Sequence, residues 1–362
     1  MELLLNEQQA LLRDAAAKLG AAHGGAKRAR SLRLSRVGMD HEAWRGVVEA
    51  GWLSALAPEE AGGLGLGAFD LALALEETSK TVMMTPLIEA ACAIWAIAEA
   101  RGDLNDAAGL VVPATSPPAQ SFNGRQEVRL QDGILDGVLS FVPFADHADA
   151  FVIEAVTDGA ASLCLAPRSL DGLAIETIHN VDGSTSSTLT FSQARIGEGQ
   201  VLARGEKAAA IASKMHDLLS LGASVELLGV AQAALDITLD YIKLRQQFGK
   251  PIGSFQALQH RAVNCYVDLE LNRSLIYAVL SAWDAGAAHP AMVSAVKARL
   301  SRCGLDTVRA ALQLHGAIGY TDDHDIGVYY KRAVALAAKY GNEITHVGRF
   351  SALTTSLSAT QE

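Results

Sequence analysis

Three side chains within one short stretch, Arg245, Phe248 and Gln256, are suited to binding a ligand that carries phosphate and an aromatic ring. Arginine presents a rigid fork of hydrogen-bond donors that matches phosphate or carboxylate. Glutamine offers donors and an acceptor to a purine or a pyrophosphate, and phenylalanine offers a flat face. The alternative is a solvated turn between helices whose arginine and glutamine face water, and the spacing alone does not decide between the two.

Two long runs with helical apolar periodicity, at about residues 207–241 and 257–285, flank this stretch. Gly249 and Gly253 supply conformationally free backbone, and Pro251 excludes a continuous helix. The pattern therefore predicts a tight connection between two long helices, which would hold the three side chains at one bend.

Hydrophobic patterning divides the chain into three expected domains. Residues 1–109 and 205–362 have apolar residues at helical spacing, and the second of these segments is expected to form a four-helix bundle. Residues 110–204 contain short β-rich runs, which favour an antiparallel barrel or sandwich. The predicted turns of this middle domain are Asn123-Gly124, Asp132-Gly133, Asp136-Gly137, Asp158-Gly159 and Asp182-Gly183. The expected fold class is α+β, with a β domain between two helical domains.

Composition excludes several classes of protein. The 362 residues are 50% hydrophobic with a formal net charge of −10, which argues against nucleic acid or an anionic membrane as a partner. No run of about 18 apolar residues lacks charge, and the first residues lack the basic region of a signal peptide, so we expect a cytoplasmic protein. The histidines and cysteines do not have metal-ligand spacing, so no metal site is expected. The four cysteines, expected to be buried reduced thiols, are Cys92, Cys164, Cys265 and Cys303.

Four segments, in order along the chain, resemble signature segments of the acyl-CoA dehydrogenase family. One is the Arg-x-x-Phe-Gly stretch that runs from Arg245 to Gln256, and the others are Ala57–Gly65, Leu75–Glu77 and Leu312–Tyr320. The similarity covers nearly the whole chain. Four ordered motifs are a strong signal for the fold and a weaker one for the activity.

The resemblance implies a flavoenzyme that binds FAD and an acyl-CoA and removes hydrogen from the α and β carbons of the thioester. Arg245 and Phe248 match family residues that contact the cofactor, and Gln256 matches the glutamine on its adenine side. In the family, a base takes the α proton and the flavin accepts hydride from the β carbon.

A second cofactor segment is implied near the C-terminal end. Gln313, Gly316 and Ala317 match the family segment that approaches the pyrophosphate from a neighbouring subunit, with Ala317 in place of a second glycine. Glycine is useful there because backbone must come close to phosphate. Because that site spans two subunits, the resemblance also implies an oligomer.

Two glycine-rich or basic segments allow a phosphate site and a structural alternative. The Gly62–Gly67 loop follows a predicted helix and Pro58 rather than a strand, so a structural turn is favoured over a phosphate cradle. The Gly24–Arg36 segment holds five basic residues and is expected to be a basic surface helix or a mobile loop, with a site for a CoA phosphate as the alternative.

The flavin environment departs from the family pattern in two places. The flavin-edge segment, which in the family ends in Thr-Glu-Pro, corresponds to residues 111–119 and has no match. The later Trp-x-Thr strand corresponds to Phe141-Val142-Pro143, and Pro143 has neither a hydroxyl nor an N–H to give to a flavin.

Both family positions for the catalytic base lack an acid. One falls in Lys339–Asn342 and the other at Leu219, on the long helix. Acids in these neighbourhoods are Asp217, Glu226, Asp322, Asp323 and Glu343. We expect Asp217 to point away from the base position, Glu226 to pack or pair at an interface, and Asp322–Asp323 to cap a turn. The catalytic residue is therefore unassigned.

These departures resemble the short, base-lacking subunits of heteromeric acyl-CoA dehydrogenases known for steroid side chains and dicarboxylic acyl groups. The hypothesis is a subunit that needs a second, unlike acyl-CoA dehydrogenase subunit for turnover. Two alternatives stay open: a flavin-dependent monooxygenase on the same fold, which needs no α-proton base, and a non-catalytic structural subunit. The retained arginine and glutamines argue against the structural subunit, since a scaffold needs no phosphate-binding fork.

Overall fold

The computed structural model describes residues 5–105, 107–115 and 127–359, and its contacts divide the chain into two units. The helical unit comprises Met1–Ser35, Ala68–Met83 and Ser220–Glu362, and the sheet unit comprises Arg36–Gly67 and Met84–Leu219. Both units are discontinuous in sequence. The three-domain division with boundaries near residues 109 and 204 stays a prediction. The predicted turn at residues 123–124 lies outside the described residues.

The element order is helices, then strands, then helices, as the α+β prediction requires. Helices α1 to α10 span Glu7–His23, Ala26–Ser35, His41–Glu49, Ala68–Lys80, Leu87–Arg101, Gly205–Leu244, Gln256–Asp284, Pro290–His315, Ile326–Ala338 and Glu343–Ala359. Strands β1 to β10 span Val111–Ala114, Val128–Gln131, Ile134–Pro143, Ala150–Thr157, Ala160–Pro167, Leu173–His179, Thr185–Arg195, Val201–Arg204, Gln246–Gln247 and Lys250–Pro251.

Local sequence signals explain where many helices begin and end. Asn6 caps α1 through a capping box, in which its side chain accepts from the Gln9 backbone and the Gln9 side chain accepts from the Asn6 backbone. Pro290 occupies the first turn of α8, where its missing N–H has no helical partner to lose. Residues 205–359 form helices α6 to α10, and a turn at residues 339–342 separates α9 from α10. Helix α8 packs against α7, α9 and α10 in the helical unit.

Helix α6 is the 40-residue element that ends at the predicted bend. A Cβ at Gly229 would lie 2.4 Å from the Glu76 carbonyl oxygen, so glycine allows α6 and α4 to pack closely. By length and composition α6 would pass as a membrane span, but 94% of its qualifying window is buried within the protein. The burial explains its apolar composition, since a core helix is apolar on all sides.

The sheet unit is built on an eight-stranded sheet with the order β6-β7-β3-β2-β4-β5-β8, and β1 pairs with β4. The segment expected to be β-rich, residues 110–204, contains strands β1 to β8. Most pairings are antiparallel, as expected, but β1 and β2 both run parallel to β4. One face of the sheet forms a core that includes Leu139, Phe151, Ile153, Leu189 and Phe191.

The prediction of a turn at Asp136-Gly137 is wrong. These residues lie inside β3, where the register with β7 shifts between Leu135 and Gly137. A Cβ at Gly137 would lie 2.2 Å from the Glu127 carbonyl oxygen, and the Asp136 carboxylate accepts hydrogen bonds from the backbone and side chain of Gln193. The pair therefore forms a β-bulge, a feature with the same glycine preference as a turn.

The two segments weighed above as phosphate sites, residues 62–67 and 24–36, have structural roles. In the Gly62–Gly67 loop, a Cβ at Gly63 would lie 2.1 Å from the Ala57 carbonyl oxygen, as expected of a packed turn. The basic segment forms α2, and its Arg30 and Arg33 lie 3.0 Å from Asp325 and Asp322, respectively. These pairs favour the basic-helix interpretation over a CoA phosphate site.

The cysteines are reduced: Cys92, Cys164 and Cys265 are buried and Cys303 is half-buried. Burial raises the pKa of the Cys164 thiol to about 12, which makes it a poor nucleophile.

Candidate cofactor site

The predicted bend between α6 and α7 is a two-residue β-hairpin. Strands β9 and β10 pair Gln247 with Lys250, and the loop residues Phe248 and Gly249 have φ values of 55° and 80°. Positive φ at both positions is the signature of a type I′ turn. Phenylalanine is strained in this conformation, and Phe248 is 90% exposed. Backbone strain of this kind clusters at ligand-binding sites, so an exposed, strained aromatic residue indicates a candidate ligand contact.

Arg245 directly precedes β9, and Gln256 is the first residue of α7 after the hairpin. Both residues are exposed. The Arg245 backbone is anchored, because its N–H donates to the Tyr241 carbonyl at 2.9 Å and its carbonyl accepts from Ile252 N–H at 2.8 Å. Its guanidinium, by contrast, has no hydrogen bond or ion pair with any described residue. An anchored backbone that presents an unpaired cation is suited to an anionic ligand.

The second predicted segment lies at the C-terminal end of α8. Gln313 and Ala317 are exposed, and Gly316 ends the helix with φ 68° and ψ −145°. A side chain is strained in that conformation, yet no heavy atom lies within 4 Å of a Cβ placed there. Open backbone at an obligatory glycine fits the close approach of a phosphate.

The structure brings these two segments together through a contact that the sequence analysis missed. The Tyr241 ring, one turn before Arg245, stacks on His315 with ring centroids 4.4 Å apart, and its hydroxyl lies 3.4 Å from the His315 carbonyl. His315 lies between Gln313 and Gly316. Its position inside the Gln-x-x-Gly motif is the sequence feature that could have indicated a role for His315 at this site. The exposed cation, amides, aromatic ring and open glycine fit a flavin dinucleotide, and their assignment to FAD stays a prediction.

The flavin-edge region belongs to the sheet unit. Phe141, at the position of the family tryptophan, is 67% exposed with φ 62°, and Pro143 pairs with Ser186 of β7. Residues 116–119 of the flavin-edge segment lie outside the described residues. Within β3, Phe141 supplies an exposed aromatic face, and Pro143 supplies no donor.

The residues at and near the family base positions are buried or paired. Leu219 is fully buried, and Asp217 is 1% exposed. Buried Glu226 lies 3.4 Å from both Arg332 and Lys339, which assigns it to an internal ion pair. The charge of the buried Glu226 carboxylate is therefore balanced by Arg332 on α9 and by Lys339 in the turn that follows.

The remaining acids lie at the surface. Asp322 is bound by Lys331 and Arg33, whose hydrogen bonds hold the pKa of its carboxyl below the usual value. Asp323 is exposed, and Glu343 lies 3.7 Å from Arg302. Among the described residues, no group of three or more His, Cys, Asp or Glu side chains has the arrangement of a metal site.

The turn that would carry the more common base follows α9, whose end is held by a buried lysine. Lys297 on α8 donates to the Leu336 carbonyl at 2.9 Å, to the Ala337 carbonyl at 3.4 Å and to Ser301 Oγ at 3.1 Å. Burial lowers the pKa of Lys297 to about 7, with Lys339 adding to the effect and Glu226 opposing it. Cations are favoured at such helix ends, but full burial penalises the charge.

We expect the contribution of Lys297 to the free energy of unfolding to rise with pH. Unfolded lysine keeps its proton to about pH 10.4, whereas Lys297 releases it near pH 7, so the unfolded state binds more protons between these values. The shift corresponds to about 5 kcal/mol. The difference in free energy of unfolding between wild type and Lys297→Met, measured in urea, should therefore move in favour of wild type from about pH 7 to about pH 10.

Exposed Lys214 provides the control for this measurement, and Lys214→Met should show no such change with pH. A Lys297→Met difference that is the same at both pH values would mean that Lys297 stays charged in the folded protein.

Comparison with known proteins agrees with this geometry. The family profile described as "Acyl-CoA dehydrogenase, N-terminal domain" matches residues 6–100, and "Acyl-CoA dehydrogenase, C-terminal domain" matches residues 217–347. Acyl-CoA dehydrogenase IpdE2 of Mycolicibacterium smegmatis is 30% identical over 346 residues, which cover 93% of this chain and 96% of the relative. Acyl-CoA dehydrogenase FadE27 of Mycobacterium tuberculosis is 26% identical over 317 residues, with 81% and 83% covered.

A solved structure supports the same relationship. A variant of the Tcur3481-Tcur3483 steroid ACAD superposes with a TM-score of 0.87 at 26% identity, covering 98% of this chain and 99% of that one. The family consists of flavoprotein oxidoreductases that act on the CH–CH bond of CoA thioesters with FAD as cofactor. The C-terminal match includes both predicted cofactor segments and the part of α6 from residue 217 onward. The chain therefore belongs to the acyl-CoA dehydrogenase family.

Proposed function

We propose that this chain is a subunit of an FAD-dependent acyl-CoA dehydrogenase that lacks its own catalytic glutamate and works with a second acyl-CoA dehydrogenase subunit. The observation that carries the proposal is the state of the two base positions. Leu219 is apolar and fully buried, and the turn at residues 339–342 contains no acid. Buried Glu226 is paired with Arg332 and Lys339. A base must be close to the substrate and able to accept its proton, which these groups do not satisfy.

This chain's own contribution would be to hold the cofactor. FAD, when bound, supplies the acceptor for the hydride from the β carbon. Arg245 would pair with its pyrophosphate, Gln256 and Gln313 would donate to its polar edges, and Phe248 would cover an aromatic face. Gly316 would allow backbone N–H groups near phosphate, with the exposed Ala317 methyl beside them. The α proton would pass to a carboxylate of the partner subunit.

The relatives suggest the class of substrate. FadE27 and IpdE2 are acyl-CoA dehydrogenases, and a solved structure that is 26% identical to this chain is described as a steroid ACAD. We infer a cytoplasmic enzyme of lipid or steroid degradation that takes an acyl-CoA substrate. The dehydrogenation of a thioester requires an upstream reaction that forms the CoA ester.

The test is the visible absorption spectrum of the purified protein, alone and with a candidate partner subunit, before and after addition of a panel of acyl-CoAs. We expect flavin absorption to be bleached by an acyl-CoA only when the partner is present. Bleaching by this chain alone, lost on mutating one of its own acids, would show that it carries its own base. A flavin that is reduced by no acyl-CoA but reacts with oxygen after chemical reduction would favour the monooxygenase. Absence of flavin with and without a partner would favour the structural subunit.

A further inference from the structure

Three aromatic rings form a stack beneath the two predicted cofactor segments. His315 lies 4.4 Å from Tyr241 and 4.5 Å from His324 between ring centroids, and Tyr241 and His324 meet edge to face at 5.9 Å. We call these residues the ring stack. It joins the C-terminal end of α6, the C-terminal end of α8 and the loop before α9, all within the helical unit.

The hydrogen bonds of the ring stack define the protonation of its histidines. His315 Nδ1 lies 2.8 Å from the Ala311 carbonyl, which can only accept, so Nδ1 carries the hydrogen. His315 Nε2 is then a bare acceptor, and it is buried without a hydrogen-bond partner among the described residues. His324 Nδ1 accepts from the Ile326 N–H at 3.2 Å, so its hydrogen is on Nε2 when the ring is neutral.

We propose that the ring stack positions the cofactor site, and that it does so only while His315 is neutral. This inference rests on the proposed binding of FAD. Tyr241 precedes Arg245 by one helical turn, and His315 lies between Gln313 and Gly316. Contact between the two rings therefore sets the spacing between the arginine fork and the open glycine backbone. The Gly316 segment is expected to reach the cofactor across a subunit interface, so this chain would have to present Arg245 to the same dinucleotide, which requires that spacing to be preset.

Protonation would weaken the stack because the added proton has one available position. It would go to His315 Nε2, which faces no acceptor and is out of contact with water. Burial, and the neighbouring His324, lower the pKa of His315, while the Ala311 carbonyl acts in the opposite direction. Tyr241 faces it from α6. The carboxylates of the adjoining loop, Asp322 and Asp325, are held by Arg33 and Arg30.

We expect the affinity for FAD to fall as the pH is lowered, because His315 takes up one proton. For a ligand that binds only the neutral form, the apparent Kd rises by about tenfold for each pH unit below the pKa of the free protein. We would measure FAD binding by flavin fluorescence between about pH 8 and about pH 5 on the full chain, in the oligomer that binds flavin. Circular dichroism at each pH would confirm that the protein stays folded.

Two substitutions separate the ring from its charge. His315→Phe keeps a ring on Tyr241 but cannot be protonated, so its Kd should change by less than about threefold over this range. His315→Ala removes the ring, and its Kd at pH 8 should be about tenfold weaker than that of wild type. Exposed His179, at the end of β6 in the sheet unit, is the control, and His179→Phe should keep the wild-type profile.

A second measurement uses the unaltered protein. Calorimetry of FAD binding below the His315 pKa, in buffers of different ionisation enthalpy, should detect proton release that is lost in His315→Phe. An unchanged pH profile in His315→Phe, or wild-type affinity in His315→Ala, would overturn this inference while leaving FAD binding intact. Absence of FAD binding at every pH would overturn the proposed function together with it.

Discussion

Replacing Arg273 by leucine should lower the free energy of unfolding by about 3–5 kcal/mol. Arg273 on α7 forms an ion pair with Glu76 on α4, and Glu76 is only 3% exposed. The same guanidinium donates to Gln232 Oε1 at 2.8 Å, and the Tyr277 hydroxyl donates to Glu76 Oε2 at 2.7 Å. Without the arginine, a buried carboxylate would lose its cation, and desolvation penalises an unpaired charge far more than it penalises a pair.

Chemical denaturation of a short series of variants tests this account. The double variant Glu76→Leu with Arg273→Leu should recover most of the loss, because no charge is left buried. Arg299→Leu is the matched control, since Arg299 forms an exposed pair with Asp268 at 3.9 Å and should lose less than about 1 kcal/mol. If Arg273→Leu were no more destabilised than Arg299→Leu, Glu76 would have to be protonated in the folded protein.

Replacing Arg245 by alanine should weaken FAD binding by about 10- to 100-fold. Hydrogen bonds to a charged group contribute about 1.5–3 kcal/mol, which corresponds to that range in Kd. Arg245→Lys should fall between wild type and alanine, because lysine keeps the charge but lacks the planar fork. Flavin retained after equilibrium dialysis gives the measurement, and bleaching by acyl-CoA in the presence of the partner should decline in parallel.

Lys243 is the control for the Arg245 series. It is exposed on the last turn of α6 and pairs with Asp240 at 3.4 Å, so Lys243→Ala should bind FAD within about threefold of wild type. Equal flavin retention by Arg245→Ala and wild type would mean that the bend between α6 and α7 is a solvated turn and does not bind the cofactor.

Asp-Gly pairs form two different backbone structures in this chain. The Asp158-Gly159 and Asp132-Gly133 pairs were predicted as turns, and both have the positive φ values of a hairpin connection. Asp136-Gly137 carries the same signal, yet it is a bulge inside β3, because the nearby Glu127 backbone needs the space of the missing side chain. Residue type reports that a position needs glycine, whereas the neighbouring strand decides for which reason.

Sequence alone determined the family and the order of helical and β-rich segments, and it predicted residues for the cofactor whose role stays a prediction. These follow from local periodicity, caps and motifs, which are encoded in neighbouring residues. Only the tertiary structure decided which charges are compensated, that Glu226 belongs to an ion pair and that Tyr241 meets His315. Such contacts join residues about seventy to a hundred positions apart, and no local pattern specifies them because they depend on how whole helices pack.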